Sequence, residues 1–281
     1  MRPRLSIITA VHNQLAVNRI YAQSLQQHTR APYELIVIDN ASTDGSGDYF
    51  ASVGARVIRN SSNWSYPHTQ NQGIEVAQGE VLCFLNNDLV VSPGWDAGLL
   101  RAMQVHGLDV VTPCGIERVE TEAATKRLRR RWHRIKYGLG LLGRSERVLR
   151  AMHRVMYGDW AAFCAARQAR FGDAVIEGFV GNTVVMTRRA LDLLGPWDPR
   201  FQAADFDIYL RSLQRSRTHG DIRPVHVALG TFIHHYIRLT LQAGYPPFVD
   251  AGGIIDPSEH WPKALFDRAM TINHIDYTPA A

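Results

Sequence analysis

Residues 80–91 read EVLCFLNNDLVV. The apolar run Val81-Leu82-Cys83-Phe84-Leu85 passes without a turn residue into two amides and a carboxylate, Asn86-Asn87-Asp88, and then into Leu89-Val90. A polar cluster carried into a core costs several kcal/mol unless its groups are paired or bind something. Two upstream β-type runs also carry polar residues at their ends, Thr9 and Asp39. Carboxylates with neighbouring amides at strand ends suit a hard divalent cation, Mn2+ or Mg2+. Such a cation takes oxygen ligands, often one or two carboxylates plus the phosphates of a substrate. The chemistry suggested is a diphosphate bridged to Asp88 through a cation. The other reading is an Asx cap on the following turn, and these three residues alone leave both open.

Such side chains need a scaffold that delivers strand ends to one edge. Residues 5–11 form a β-type run, and Leu15, Ile20, Tyr21 and Leu25 then follow at roughly helical spacing. Residues 34–39 read as a second strand, 40–47 as a loop by composition and 48–53 as a short helix. A third strand at 56–59, a loop at 63–66, a helix at 68–77 closed by Gly79 and a strand at 81–86 complete the series. Strands alternating with helices predict a mostly parallel α/β sheet covered on both faces. In such sheets ligands gather beyond the carboxyl ends of the strands. The pattern resumes at Ile176, with a strand at 184–186 and a short helix at 190–194 stopped by Gly195-Pro196.

Composition narrows the class. A chain of 281 residues, 46% hydrophobic and 20% charged, suits one large globular domain. No apolar run approaches the roughly 18 residues that span a bilayer. The basic start is followed only by a short apolar run that His12-Asn13-Gln14 interrupts, so it reads as a first strand and not a signal peptide. Three scattered cysteines form no CxxC and no disulfide framework, and the expected compartment is a reducing cytoplasm. A net charge of +5 permits an anionic partner without naming one.

Five segments together carry a family resemblance. LSIITAVHNQ, ELIVIDNASTDGS, NSSNWSYPHTQNQGIEVAQGEVLCFLNNDLVVSPGW, GFVGNTVVMTRRALDLLGPWDPRF and FQAADFDIYLRSLQ occur in order and at sensible spacing over most of residues 4–113 and 176–240. The chain resembles the family 2 glycosyltransferases, in the rhamnosyltransferase-like branch. The resemblance implies a GT-A fold, a Rossmann-like arrangement for nucleotide-diphospho-sugars. It also implies inverting, metal-dependent transfer of a sugar from such a donor to an acceptor hydroxyl, in bacterial-type surface glycan or glycoconjugate synthesis. Carried over by residue, it makes Asp205 the catalytic base and Asp39 the nucleobase contact. Thr9, Asn13, Asn40 and Ser42 line the nucleotide, Asn71 lies on the helix that helps close the donor site, and Asn87 and Asp88 take the second and third positions of the Asp-x-Asp-like motif, Asn87 as a donor contact and Asp88 as a metal ligand. His235, or His234 as the alternative, meets the metal or diphosphate, and the cofactor is Mn2+ or Mg2+. The chemistry agrees, since inverting transfer needs a base for the acceptor proton and positive charge on the leaving diphosphate.

Departures accompany the match. Ala10 stands where proline is usual, Ala204 where glutamate often precedes the base, and Ile237-Arg238 where glycines follow the late histidine. Asp207 is expected to serve the helix start, and Trp64 and Tyr66 suit core or pocket wall equally. The domain is expected over residues 1–245, with a basic helical insert at about 117–175 and a tail, 246–281, packed on it. Within the insert, residues 126–136 hold seven cations and no acid, around a stripe of Leu128, Trp132, Ile135 and Leu139. A second stripe holds Val148, Leu149, Met152, Val155 and Met156. Three readings stay open for it: a solvated or acceptor-side flap, a peripheral contact with the inner membrane face through Trp132, and a nucleic-acid surface. Two other functions stay open beside the enzyme: a nucleotide-sugar-binding module impaired by Ala204, and a protein that docks through its basic helices.

Overall fold

The computed structural model describes residues 4–237, 239 and 247–279. Among these residues an eight-stranded sheet runs in the order β3-β2-β1-β4-β8-β6-β9-β7. The strands are β1 (Leu5–Val11), β2 (Tyr33–Asn40), β3 (Arg56–Asn60), β4 (Val81–Leu85), β6 (Val110–Cys114), β7 (Val175–Glu177), β8 (Thr183–Thr187) and β9 (His226–Phe232). β1, β2, β3 and β4 are mutually parallel, whereas β8 lies antiparallel between β4 and β6. The registers Val11↔Asp39 and Ile8↔Phe84 bring the carboxyl ends of the central strands to one edge. The predicted strand 81–86 ends one residue earlier in the structure, at Leu85, although the Asn86 N–H still reaches the Asn182 carbonyl at 3.0 Å, in line with the β4–β8 register.

Alternation along each central strand sorts the core into two layers, as a pleat of period two requires. Ile8, Ile36, Ile38, Leu82 and Phe84 face Trp197, Ile208 and Tyr209. Ile7, Val37, Cys83 and Leu85 face Tyr21, Leu25, Phe50, Trp95 and Leu99. The first layer is closed by α3 (Tyr66–Val76), α8 (Arg188–Leu194), α9 (Ala204–Thr218) and α11 (Lys263–Ile272). The second is closed by α1 (Leu15–His28), α2 (Ser46–Ser52) and α4 (Trp95–His106). Both faces of the central strands are therefore dry, which explains their near-continuous apolar runs. In the C-terminal segment, α10 (Pro257–His260) precedes Trp261, whose indole N–H donates to Asp207 at 3.1 Å. Asp207 thus anchors that segment, with Arg211 Nε 2.8 Å from its other oxygen.

The insert between β6 and β7 holds three helices where the apolar stripes indicate a pair: α5 (Glu122–Gly140), α6 (Glu146–Tyr157) and α7 (Trp160–Phe171). Side-chain caps start two of them, with the Thr121 hydroxyl accepting from Ala124 N–H at 3.1 Å and Asp159 from Ala162 N–H at 2.9 Å. The stripe of α5 faces inward. Trp132 is fully buried, edge-on to His234 and Tyr236 with ring centroids 4.7 and 5.7 Å away, and Leu149, Met152 and Met156 of α6 complete this third cluster. Trp132 as a membrane-interface anchor is thereby corrected: burying the indole against two rings outweighs exposing it. Val155 of the second stripe is exposed.

Trp132→Ala is expected to destabilise the fold by about 3–5 kcal/mol, the cost of emptying a large buried aromatic site. A urea unfolding curve measures it, and a midpoint unchanged from the unmodified protein would contradict this packing.

Candidate active site

A cavity of about 370 Å³ opens at the carboxyl ends of β1, β2 and β4. Its polar wall includes His12, Asn40, Asn63, Asn86, Asn87, Asp88, Gln202 and His235, and its apolar wall includes Trp64, Tyr66, Leu85, Leu239 and Phe248. Chain crossings build it. After β4 the chain turns at Asn86-Asn87-Asp88 and forms a two-residue strand, β5 (Leu89–Val90). β5 pairs antiparallel with β10 (His234–His235) in the register His235↔Leu89 and His234↔Val90. The Tyr236 N–H donates to the Asp88 carbonyl at 3.0 Å. This short ribbon carries His235 to Asp88.

The His235 Nε2 lies 3.0 Å from Asp88 Oδ1, and its Nδ1 bonds the Glu117 carboxylate. Burial alone would push the imidazole down, yet the two carboxylates outweigh it and raise it to about 10. Burial likewise opposes the charge of Asp88 and Glu117, and His235 reverses the balance, holding both carboxyls below their ordinary values. Three charges, two negative and one positive, thus sit together with little water. Asn182 Nδ2 donates to the second Glu117 oxygen at 3.1 Å. Glu117 belongs to no motif read from the sequence; its only signal is an acid shortly after a buried strand.

His234, on the other side of the ribbon, is buried at 2.9 Å from the Tyr157 hydroxyl, and burial drives it well below the ordinary histidine value. Geometry therefore selects His235 for the cavity. The backbone leaving β10 is strained, with Ile237 at φ 57°, a conformation β-branched residues rarely adopt. Lys136 of α5 is buried beside it and donates to the carbonyls of Tyr236, at 3.0 Å, and Ile237. Arg238, the other departure at this point, lies outside the described residues.

Asp205 sits in the first turn of α9, and Gly181 makes room for it: a Cβ there would stand 2.2 Å from Asp205 Oδ2. Burial raises the Asp205 carboxyl, opposed by the backbone N–H groups of Asp205 and Phe206. A carboxylate raised in this way is a better proton acceptor. The chain links the two centres, because Gly181 precedes the Asn182 that bonds Glu117. Asp205 does not line the cavity itself, although Gln202 does. Ala204 is buried in the apolar layer.

The other candidates divide. Asn40 and Asn87 line the cavity, with Asn40 Nδ2 donating to the Trp64 carbonyl at 2.8 Å and Asn87 Nδ2 to Asn18 Oδ1 at 2.7 Å. Thr9 does not: its hydroxyl is buried 2.6 Å from that of Tyr21. Asn71 is also removed from direct contact, since its amide bonds the Trp197 carbonyl and N–H at 2.7 and 3.0 Å. Asp39 accepts from Ser42 N–H at 2.9 Å, lies 3.5 Å from Arg59 Nη1 and is walled by Gly47. Asn13 and Ser42 tie the loops after β1 and β2 together, Asn13 N–H donating to Ser42 Oγ at 2.8 Å and Asn13 Oδ1 accepting from Thr43 N–H at 2.8 Å. These three frame the mouth without lining it. Residues missed in the sequence complete the wall: His12, whose Nδ1 lies 2.6 Å from the Asn40 carbonyl, and Phe248, from the C-terminal segment. That segment is pinned by Asp250, which accepts from Ser65 N–H at 3.0 Å and Ser65 Oγ at 2.6 Å.

Among the described residues no group of three or more His, Cys, Asp or Glu is arranged to hold a metal. Asp88 and His235 Nε2 nevertheless converge as two donors, and Glu117 on Nδ1 supplies the carboxylate–histidine support of a metal-ligating imidazole. The set fits a cation that takes few protein ligands and completes its shell with water and phosphate. It would replace the proton on Nε2 and neutralise the two carboxylates.

The profile of the family described as Glycosyl transferase family 2 matches residues 6–168. The candidate glycosyltransferase EpsH of Bacillus subtilis (strain 168) is 29% identical over 103 residues, 35% of this chain and 30% of that protein. The O-antigen biosynthesis protein RfbC of Myxococcus xanthus is 34% identical over 101 residues, 33% of this chain and 8% of that one. The chain thus spans less than a third of the length of either relative. The crystal structure of S. aureus TarS superimposes with a TM-score of 0.51 at 14% identity, over 83% of this chain and 37% of that one. At that identity the likeness is one of fold.

Lys136→Met keeps the buried stem and removes the charge-assisted bonds to Tyr236 and Ile237. It is expected to cost about 2 kcal/mol and to speed amide exchange at Tyr236. Hydrogen exchange measures this, and Tyr236 protection unchanged from the unmodified protein would show that Lys136 does not hold the ribbon.

Proposed function

Because this chain belongs to glycosyl transferase family 2, we propose that it is an inverting glycosyltransferase moving a sugar from a nucleotide-diphosphate donor to an acceptor hydroxyl, with Mn2+ or Mg2+ as cofactor. The observation that carries this reading is the Asp88–His235 pair at 3.0 Å on the wall of the strand-end cavity; Asp205, outside that wall, packs on Gly181, next in the chain to the Asn182 that bonds Glu117. The nucleoside lies against Asn40, Asn63 and Trp64 on the cavity wall. Asp39, Asn13 and Ser42 act on it indirectly, by fixing the two loops that frame the mouth. The diphosphate lies toward Asp88 and His235, which would hold the cation. When bound, that cation supplies positive charge to the leaving diphosphate. Asp205 takes the acceptor hydroxyl's proton as its oxygen attacks the anomeric carbon from the face opposite the diphosphate, so the configuration inverts. Glu117 keeps the His235 ring oriented throughout. The O-antigen role in the name of one relative supports a glycan or glycoconjugate acceptor of the bacterial surface type. The presence of Asp88, Asp205 and His235 favours turnover over a binding-only module; Ala204, where a glutamate often stands, is buried in the apolar layer.

Thermal-shift titration against UDP-, GDP- and dTDP-sugars, with CMP donors as the monophosphate control and with and without Mn2+, tests the reading. Stabilisation by a diphosphate donor, strengthened by the cation, is expected. No response to any nucleotide would reject it. Asp88→Ala is expected to abolish the Mn2+ contribution, and Glu117→Gln to weaken it by about 10–100-fold, as for other partners of metal-ligating histidines. An unchanged metal response in Asp88→Ala would reject the metal assignment.

Asp205→Asn is expected to keep donor binding while lowering transfer by roughly 10²–10⁴, the usual worth of a general base. Radiolabelled sugar transfer to an acceptor measures it, and near-normal turnover would remove Asp205 from the chemistry.

A further inference from the structure

The insert is charged out of proportion to the rest of the chain. Residues 122–157 hold eleven Lys and Arg against two Glu, a net +9, whereas the whole chain carries +5, so all other residues sum to −4. Both acids are already paired within their own helices, Glu122 with Lys126 and Glu146 with Arg150. With Trp132 and Lys136 buried, the outward face of α5 is cationic. Arg127, Arg130 and Arg134 follow one another at i+3 and i+4 spacing, and a groove runs past them with Arg131 and the exposed Val155 in its wall. The same row continues, at the same spacing, into Tyr137 and Leu141. There the chemistry changes: Tyr137 is 62% exposed, Leu141 89% and Leu142 73%, at the end of α5 where Gly138, Gly140 and Gly143 leave no side chains to cover them.

We propose that the outer face of α5 and the turn after it form a docking surface for an anionic lipid bilayer, with Tyr137, Leu141 and Leu142 entering the acyl boundary and the arginine row on the headgroups. Charge complementarity selects an anionic partner, and the apolar tip selects which one. A row of arginines alone would serve a polyphosphate, but a nucleic acid offers no apolar medium for two exposed leucines. The anchor differs from the one the apolar stripe suggests, since the stripe packs inward and the row beside it faces out. Docking there also has a consequence for the site. α5 grips the segment bearing His235 through Trp132 and Lys136, so one rigid helix joins the bilayer contact to the cavity. Among the described residues no helix is long and apolar enough to cross a membrane, so the contact proposed is peripheral.

Cosedimentation of the full chain with vesicles of phosphatidylcholine alone, and of phosphatidylcholine with phosphatidylglycerol, tests this. Binding to the anionic vesicles only, weakened by salt, is expected. Each cation near such a surface is worth about fivefold, so the triple variant R127Q/R130Q/R134Q should bind on the order of 100-fold more weakly. L141S/L142S should lose about tenfold or more, and retain that loss at high salt because the lost contribution is apolar. These positions are exposed, and circular dichroism together with the nucleotide thermal shift checks that the variants stay folded; that shift, read without vesicles, also tests the donor reading separately. Equal or absent binding to the two vesicle types would overturn the proposal. So would salt-sensitive binding to a DNA fragment, unaffected by L141S/L142S, in the absence of vesicle binding.

Discussion

A protonated imidazole between two buried carboxylates is the interaction on which the rest of the site depends. His235 is charged only because Asp88 and Glu117 face its two nitrogens, and they stay ionised only because it lies between them. Removing one partner would leave a buried charge uncompensated, which costs more than the lost attraction alone. The three groups come from three places in the chain: the turn after β4, the loop after β6 and the ribbon after β9. Their meeting therefore requires the parallel strand ends, the β5–β10 pairing and the Asn182 bond to be in register at once. Under the proposed metal role, a divalent cation at His235 Nε2 would exchange one proton for two charges beside these carboxylates.

The insert works on this centre from behind. Its helices contribute no carboxylate, yet Trp132 packs on His234 and Tyr236, and Lys136 satisfies two carbonyls of a strained turn. A positive φ at Ile237 is costly for a β-branched residue and persists where surrounding contacts over-determine it. The inward and outward faces of α5 thus have separate tasks, one apolar and structural, the other cationic.

A similar separation runs through the donor side. Some polar residues face the cavity, such as Asn40 and Asn87. Others are consumed in holding loops: Asn13, Ser42 and Asp39 join the loops after β1 and β2, and Asn71 clasps the backbone of Trp197. A polar side chain at a strand end is pulled both ways, because every buried donor and acceptor must be satisfied locally unless a ligand does it. The C-terminal segment adds a wall through Phe248, held by the Asp250–Ser65 bonds.

Local pattern determined much of this protein. The apolar runs of β1, β2 and β4, alternating with segments of helical spacing, and the run that stops at Asn86 made the α/β sheet and its polar strand-end edge legible in the sequence, and motif order carried the family. Asp88, Asp205 and His235 are drawn from motif positions; the structure brings Asp88 and His235 together and leaves Asp205 off the cavity wall. What a side chain touches was not legible. Thr9 under Tyr21, Asn71 on Trp197 and Trp132 in the core all read as available from sequence, since partners 12 to 126 positions away leave no trace in a residue's spacing. Glu117 shows the converse, an acid with no motif that becomes one of the three charges of the central ion cluster. Periodicity reports which face of an element is apolar; only tertiary packing decides whether that face meets the core, a ligand or solvent, because burial energy depends on the partner surface and not on the stripe alone.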